Sequence, residues 1–196
     1  MNKTLTAVLF VGGLSRRMGV DKATVQFAGE PLWARQLGLL RGLKLNALGI
    51  SARGRPAWCP PEIEVILDEP PSRGPLSGLA AALRTLQTSH LLALAVDLPR
   101  MKVDLLRKLW SQAHSACGVV PSTDLLEPLC AIYPAEIATD AAIALKNVQD
   151  VSLQSFVRAM CREGRMQTYP CTESERHFFC NINRPEDLKT CTSVTS

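Results

Sequence analysis

The chain has 196 residues, of which 46% are hydrophobic and 20% are charged, values typical of a globular protein and not of a disordered one. Its length favours one compact domain, and no apolar run approaches the roughly 20 residues of a bilayer-spanning helix. The formal net charge of +4 is too small for a histone-like protein and leaves a small anionic ligand open.

The seven cysteines include no C-x-x-C pair, which argues against zinc-ribbon and thioredoxin-type sites. We therefore expect a reduced, cytoplasmic environment in which most thiols are small buried hydrophobes. His177 and Cys180 are close enough to form half of a metal site, but ordinary core or surface roles are the preferred interpretation.

The first apolar run, residues 4–11, follows Lys3 and so resembles the start of a secretory signal. The run is short for such a signal, and no small-x-small cleavage site follows it. Two glycines and a cluster of cations come next instead. We interpret this run as a buried first strand.

Short apolar runs then alternate with segments of helical periodicity. We predict further strands at 47–51, 64–67, 91–96, 117–121, 129–133 and 166–170. We predict helices at 31–41, 74–86, 103–116, 134–146, 151–162 and from Pro185 onward. This alternation predicts an α/β fold with a mostly parallel sheet covered on both faces. We expect one domain over residues 1–189, followed by a polar C-terminal tail at 190–196.

Ligands bind such sheets beyond the carboxyl ends of the strands, where residues 12–22 read GGLSRRMGVDK. The adjacent Gly12 and Gly13 let the backbone approach a ligand closely and present N–H groups to an anion. This loop matches neither the GxxxxGK[ST] nor the GxGxxG motif. Together with Lys3, its cations account for most of the net charge, which we therefore place at this loop. The cations suited to phosphate oxygens are Arg16, Arg17 and Lys22.

Two later loops carry single carboxylates at strand ends. Asp68 precedes the helix that Gly74 and Pro75 open, and its carboxylate suits a base edge or a ribose hydroxyl; a proline-stabilised helix entry is the alternative. Asp97 directly follows a buried strand and suits Mg²⁺, which often takes one or two carboxylates plus substrate phosphates; a helix N-cap is the alternative. Together the three loops predict an enzyme that binds a nucleoside triphosphate and Mg²⁺.

The motif GG-x-S-x-RMG-x-DK at residues 12–22 resembles the signature of the MobA-like nucleotidyltransferases. Within that family the resemblance is greatest to the molybdenum cofactor guanylyltransferases. Further blocks occur in family order over nearly the whole chain: GPLSG at 74–78, VDLP at 96–99, EPL at 127–129 with Tyr133, and NINRPEDL at 181–188.

The resemblance implies a three-layer, Rossmann-like fold of the nucleotide-diphospho-sugar-transferase type. It also implies transfer of GMP from GTP to the phosphate of molybdopterin, with release of pyrophosphate. GTP and molybdopterin are then the expected partners, together with contacts to molybdoenzymes or to cofactor-biosynthesis proteins. No nucleic acid and no membrane are expected.

The resemblance also assigns roles to individual residues. Arg17, Lys22 and Asp97 would be catalytic, with Asp97 holding Mg²⁺, and Asn181 and Asn183 would lie near the acceptor. The nucleotide would be bound by Phe10, Val11, Gly12, Gly13, Lys22, Asp68, Gly74 and Asp97.

The chain departs from the family pattern beside the base. Phe10 and Val11 stand where Leu-Ala usually precedes the glycine pair, which affects side-chain packing more than backbone contacts. Arg53 stands just after the second long strand, near the position of an Asn found in many members, so one base contact is altered or lost.

Two other functions compete with this interpretation. One is a molybdenum cofactor cytidylyltransferase or another small-molecule nucleotidyltransferase; that branch usually carries Ala-Gly in place of Gly12 and Gly13 and lacks the GPL block, so guanine is favoured. The other is a non-catalytic nucleotide-binding module that assists cofactor insertion. The presence of Lys22 and Asp97 favours an enzyme over such a module.

Overall fold

The computed structural model describes residues 3–12, 21–68, 72, 74–146, 152–184 and 186–193. Gly13, Arg16, Arg17 and Pro185, which the sequence analysis singles out, lie outside the described residues. No helix within the described ranges has both the length and the apolar character needed to cross a membrane.

The described residues form strands and helices in alternation. The strands are β1 (Leu5–Phe10), β2 (Gln26–Phe27), β3 (Glu30–Pro31), β4 (Ala47–Ala52), β5 (Glu64–Leu67), β6 (His90–Ala95), β7 (Gly118–Ser122), β8 (Cys130–Pro134) and β9 (Met166–Pro170). The helices are α1 (Leu32–Arg41), α2 (Pro75–Arg84), α3 (Val103–Gln112), α4 (Ala138–Lys146), α5 (Leu153–Arg162), α6 (Glu173–Arg176) and α7 (Asp187–Ser193). Short 3₁₀ turns lie at Lys22–Thr24, Ala135–Ile137 and His177–Phe179.

Seven strands form the main sheet, in the order β5-β4-β1-β6-β8-β7-β9. Only β8 among them is antiparallel to its neighbours, β6 and β7. The other strands share one direction, so their carboxyl ends meet at one edge of the sheet. The predicted α/β fold with a mostly parallel sheet is confirmed.

The sheet is the middle of three layers because its strands carry apolar residues on both faces. Along β1, Leu9 packs with α1 and α3 on one face, whereas Val8 packs with α2, α4 and α5 on the other. All of β6 is buried. A continuous apolar run in the sequence therefore corresponds to a central strand.

Several element bounds differ from the prediction for local reasons. Helix α3 ends four residues earlier than predicted because Ala113 is extended and Ala116, at φ +62°, closes a tight turn. The short hairpin of β2 and β3 and the single-turn helix α6 were not predicted, since two to four residues carry too little periodicity. Helix α7 crosses the expected boundary at residue 189, so part of the expected polar tail is helical.

A disulfide joins Cys180 to Cys191, which departs from the fully reduced state expected from the sequence. The two cysteines are 11 residues apart, and their Cα atoms come within 6.0 Å because α7 packs back against the chain. Among the cysteines that stay free, Cys59, Cys117 and Cys130 are buried, as expected for small hydrophobic side chains.

The carboxylate of Glu175 in α6 links three elements around the end of β9. It accepts hydrogen bonds from Lys108 Nζ of α3 at 2.8 Å, from Tyr169 Oη of β9 at 3.0 Å and from the Thr172 backbone at 3.0 Å. Burial alone would raise the pKa of Glu175, but these hydrogen bonds outweigh burial and lower the pKa to about 2. The network therefore stabilises the fold above the ordinary carboxyl pKa of 4.5, and the contribution is lost as the pH falls toward 2.

We expect Glu175→Gln to lower the free energy of unfolding at pH 7 by about 2 kcal/mol, because hydrogen bonds to a charged group are lost. The difference in unfolding free energy between wild type and variant, measured by denaturant unfolding, should be smaller near pH 3. At that pH the wild-type carboxylate already contributes less stability. Glu173→Gln is the matched control, since that side chain on the same helix is 93% exposed. An equal loss for Glu175→Gln at both pH values would contradict this account.

Candidate active site

The carboxyl edge of the sheet brings together residues that are far apart in the sequence. Backbone hydrogen bonds extend the strand pairing beyond β1, from Val11 N to Ser51 O and from Val96 N to Phe10 O, each at 3.1 Å. A similar bond of 3.1 Å from Asp68 N to Ala52 O holds the end of β5. The segments that follow β5, β4, β1 and β6 therefore start in this order along one edge of the sheet.

Lys22 connects two of these segments to the C-terminal part of the chain. Its Nζ donates to Asp97 Oδ2 at 2.8 Å and to Asn183 Oδ1 at 2.8 Å. The side chains of Lys22 and Asp97 are each 19% exposed, so the ion pair is shielded from water but open to a ligand at one side. Three residues selected from separate sequence motifs thus form one cluster.

Asp21 holds Lys22 in position. Its Oδ1 accepts from Ala23 N at 3.0 Å and caps the 3₁₀ turn that contains Lys22, while its Oδ2 accepts from Trp58 Nε1 at 2.7 Å. Trp58 in turn stacks on Trp33 of α1, with ring centroids 5.2 Å apart. The sequence analysis missed this support, because two tryptophans 25 positions apart carry no local signal of contact.

Asn183 is held by its neighbours in the segment before α7. Ile182 is fully buried, and its backbone N–H donates to Asp97 O at 3.1 Å. Asp187 Oδ2 accepts from Asn183 N at 2.7 Å and from Arg184 N at 2.8 Å, and these hydrogen bonds lower the pKa of Asp187. The Asn183 amide is therefore presented to Lys22 by a tightly bonded turn.

A cleft of about 190 Å³ lies at the ends of β1, β4 and β5. Asp68 is half-buried there, with Oδ2 accepting from Ser72 Oγ at 2.8 Å and Oδ1 from Ser51 Oγ at 3.4 Å. Gly74, at φ +83°, adopts a backbone conformation that favours glycine and turns the chain into α2. The lining residues are Phe10, Gly12, Ser51, Arg53, Asp68, Ser72, Gly74, Pro75 and Gly78.

A second cleft, of about 300 Å³, contains Asp97 and shares Pro75 with the first. Asn181 and Asn183 line it, as do Glu127 and Gln154, which the sequence analysis did not propose as site residues. The two clefts therefore adjoin at Pro75, and Asp97 lies on the wall of the second cleft. The apolar lining consists of Pro75, Ala95, Leu98, Leu126, Pro128, Leu129 and Leu153.

Not every residue selected from the sequence lies at this edge. Lys3, whose charge we expected near the glycine loop, lies at the opposite edge, before the amino end of β1. Its Nζ donates to Trp110 O at 2.8 Å and Ala113 O at 2.6 Å, at the carboxyl end of α3, where a cation compensates the free carbonyls. That part of the charge prediction is wrong.

Val11 is half-buried and its N–H is already bonded to Ser51, so a ligand would meet other groups of that residue.

The single carboxylate of Asp97 suits the way in which proteins commonly bind Mg²⁺. The described residues contain no cluster of three or more His, Cys, Asp or Glu side chains that could form an all-protein metal cage. Mg²⁺ commonly binds one or two carboxylates and completes its shell with substrate phosphates and water. A single half-buried carboxylate on the wall of the second cleft fits such a site.

Residues 7–166 match the family of the MobA-like NTP transferase domain. The chain belongs to this family. It is 35% identical to a probable molybdenum cofactor guanylyltransferase of Opitutus terrae over 93% of this chain and 92% of that protein. It is 33% identical to the molybdenum cofactor guanylyltransferase of Cereibacter sphaeroides over 97% of this chain and 96% of that protein.

A solved structure shows the same fold. Molybdopterin-guanine dinucleotide biosynthesis protein A from Archaeoglobus fulgidus superposes with a TM-score of 0.71, covering 95% of this chain and 96% of that chain at 24% identity. At this identity the likeness shows that the two proteins share a fold.

We expect Gly78→Ala to weaken GTP binding about tenfold, because the added methyl group would displace side chains that line the first cleft. A Cβ at Gly78 would overlap Ser51 Oγ and lie 3.0 Å from Asp68 Oδ1 and 3.2 Å from Phe10 Cε1. Calorimetric titration with GTP measures the effect. Gly38→Ala is the control, since a Cβ at that position of α1 meets nothing within 4 Å. Unchanged affinity in Gly78→Ala would show that the first cleft is not where the nucleotide binds.

Proposed function

We propose that this MobA-like protein transfers GMP from GTP to the phosphate of molybdopterin, forming molybdopterin guanine dinucleotide and releasing pyrophosphate. The observation that carries the proposal is the contact of Lys22 with Asp97 and Asn183, which both line the second cleft, next to the first cleft at Pro75. One cleft is lined by groups suited to a base, and the other is large enough for a second substrate. The two relatives at 33–35% identity are named as molybdenum cofactor guanylyltransferases, in agreement with this reaction.

The chemistry requires no activated nucleophile from the protein. The phosphate of the acceptor is already an anion, so the protein has to align it with the α-phosphate of GTP and offset the negative charge that gathers there. Lys22 suits this task, because its ammonium has three N–H donors and Asp97 and Asn183 engage two of them. No other described residue engages the third donor, which we propose for a phosphate oxygen. Arg17 is proposed as a further cation for the departing pyrophosphate.

We propose Asp97 as the residue that would hold Mg²⁺. When bound, the ion supplies positive charge that stabilises phosphate oxygens during the transfer. The protein itself contributes the placement of Asp97, which the backbone bond from Ile182 to Asp97 O and the contact with Lys22 maintain.

The first cleft suits guanine better than cytosine. Guanine presents adjacent N–H donors at N1 and N2 and adjacent acceptors at O6 and N7. Asp68 offers a carboxylate for the donors, and Arg53, in the same cleft, offers a guanidinium for the acceptors. Cytosine has no such pair of adjacent donors. Arg53 would thus supply the base contact that an Asn provides in many relatives.

We also propose that the reaction takes place in the cytoplasm, where GTP is available. The product must then reach the enzymes that use it, so contacts with molybdoenzymes or with other cofactor-biosynthesis proteins belong to the proposal.

The reaction is tested by pyrophosphate release from GTP in the presence of molybdopterin and Mg²⁺. We expect Asp97→Asn and Lys22→Ala to lower kcat about 100-fold or more, because charge stabilisation of the transition state is lost. Asp104→Asn is the control, since its carboxylate is 79% exposed and pairs with Arg107 on the same helix, away from the clefts. GTP binding without pyrophosphate release by the wild type would favour the non-catalytic module instead.

The choice of base is tested by thermal shifts with GTP, CTP, ATP and UTP. We expect GTP to raise the Tm of the wild type most. In Arg53→Ala the Tm shifts with GTP and CTP should become more alike, because the hydrogen bonds from the guanidinium to guanine are lost. Arg41→Ala, on the exposed end of α1, should keep the wild-type difference. A larger shift with CTP would identify a cytidylyltransferase.

A further inference from the structure

The second cleft contains a carboxylate that the proposed reaction does not use. Glu127 lies between β7 and β8, and its side chain lines the same cleft as Asp97 and Asn183. Thr123 Oγ1 donates to Glu127 Oε1 at 2.8 Å. Within the described residues, no hydrogen bond or ion pair reaches Oε2. Burial raises the pKa of Glu127, which marks a carboxylate withdrawn from water without a compensating cation.

The backbone around Glu127 is held firmly. Its N–H donates to Pro121 O at 2.9 Å, and the N–H of Cys130 donates to Glu127 O at 3.0 Å. The fully buried Tyr133 donates its Oη to Pro128 O at 2.6 Å. The carboxylate is therefore displayed from a rigid segment, as a specific binding group requires.

A second acceptor lies in the same cleft. Gln154 Nε2 donates to Leu126 O at 2.6 Å, which fixes the amide, while Gln154 Oε1 is buried and has no partner among the described residues. A buried acceptor left without a donor costs free energy. The cleft thus offers acceptor oxygens and apolar walls, a combination that suits a flat heterocycle with N–H donors.

The direction in which the acceptor binds follows from the proposed function, on which this inference rests. The phosphate of molybdopterin has to meet the α-phosphate of GTP beside Asp97 and Lys22. The pterin ring then extends along the remaining wall of the cleft, toward Glu127. An anionic group would be repelled there, whereas a pterin presents N3–H and its 2-amino group side by side to a single carboxylate.

We propose that Glu127 is the specificity residue for the acceptor and binds the pterin through N3–H and the 2-amino group. Thr123 is a positioning residue that orients the carboxylate, and Gln154 Oε1 is a further acceptor for the ring. The assignment gives a role to a half-buried carboxylate that pairs with no cation among the described residues.

The test compares the steady-state kinetics of Glu127→Gln with those of the wild type in the presence of molybdopterin. The amide replaces one acceptor oxygen by an N–H donor that faces the pterin donors. We expect KM for molybdopterin to rise about 10- to 100-fold, while kcat at saturation stays within a few-fold and the Kd for GTP does not change. Thr123→Val should raise the same KM several-fold, and Glu127→Asp should restore part of the affinity.

Glu136→Gln is the control, because that carboxylate lies on the exposed turn after β8. An unchanged KM for molybdopterin in Glu127→Gln would overturn the assignment of Glu127 while leaving the guanylyl transfer intact. A weaker Kd for GTP in that variant would make Glu127 a structural residue and also overturn it. If the wild type releases no pyrophosphate with molybdopterin, the proposed function fails, and this inference fails with it.

Discussion

The ammonium group of Lys22 holds three separate parts of the chain together at the carboxyl edge of the sheet. One part follows β1, one follows β6 and one precedes α7, and the contacts to Asp97 and Asn183 are each 2.8 Å long. An ion pair that is mostly withdrawn from water is stronger than a surface pair but carries a desolvation cost. In the proposed reaction, a triphosphate beside Lys22 would recover part of this cost by accepting a hydrogen bond from its ammonium group.

The segment that carries Asn183 has little regular structure of its own, so other contacts have to hold it. Glu175 ties the chain after β9 to α3, Ile182 bonds to the backbone of Asp97, and the disulfide from Cys180 to Cys191 ties the turn to α7. The proposed acceptor side therefore combines these residues beyond the last strand with Glu127 and Gln154, which precede it. The proposed base side is built by the ends of β1, β4 and β5, which form one side of the main sheet.

The elements that the sequence predicts well are those with a strong local pattern. Strands β5 and β9 have the predicted bounds, and α1 is predicted to within a residue, because apolar periodicity is set by neighbouring positions. The antiparallel direction of β8 has no such signal: an apolar run looks the same in either direction. The predicted end of α3 was too late for a similar reason. The turn through Ala116 depends on the pairing of His114 with Cys117, which has no local signal in the sequence.

The sequence by itself determined the alternation of strands and helices and the position of Lys22, Asp68 and Asp97 after strand ends, because each depends on neighbouring residues in the chain; the chemical roles of these three side chains stay predictions. Only the tertiary structure decided which groups meet. In the folded chain, Lys3 lies at the opposite edge of the sheet and Trp58 donates a hydrogen bond to Asp21. Cys180 is bonded to Cys191, and Glu127 lines the same cleft as Asp97. These distances follow from strand order and helix packing over the whole chain, and neither is encoded in a local pattern.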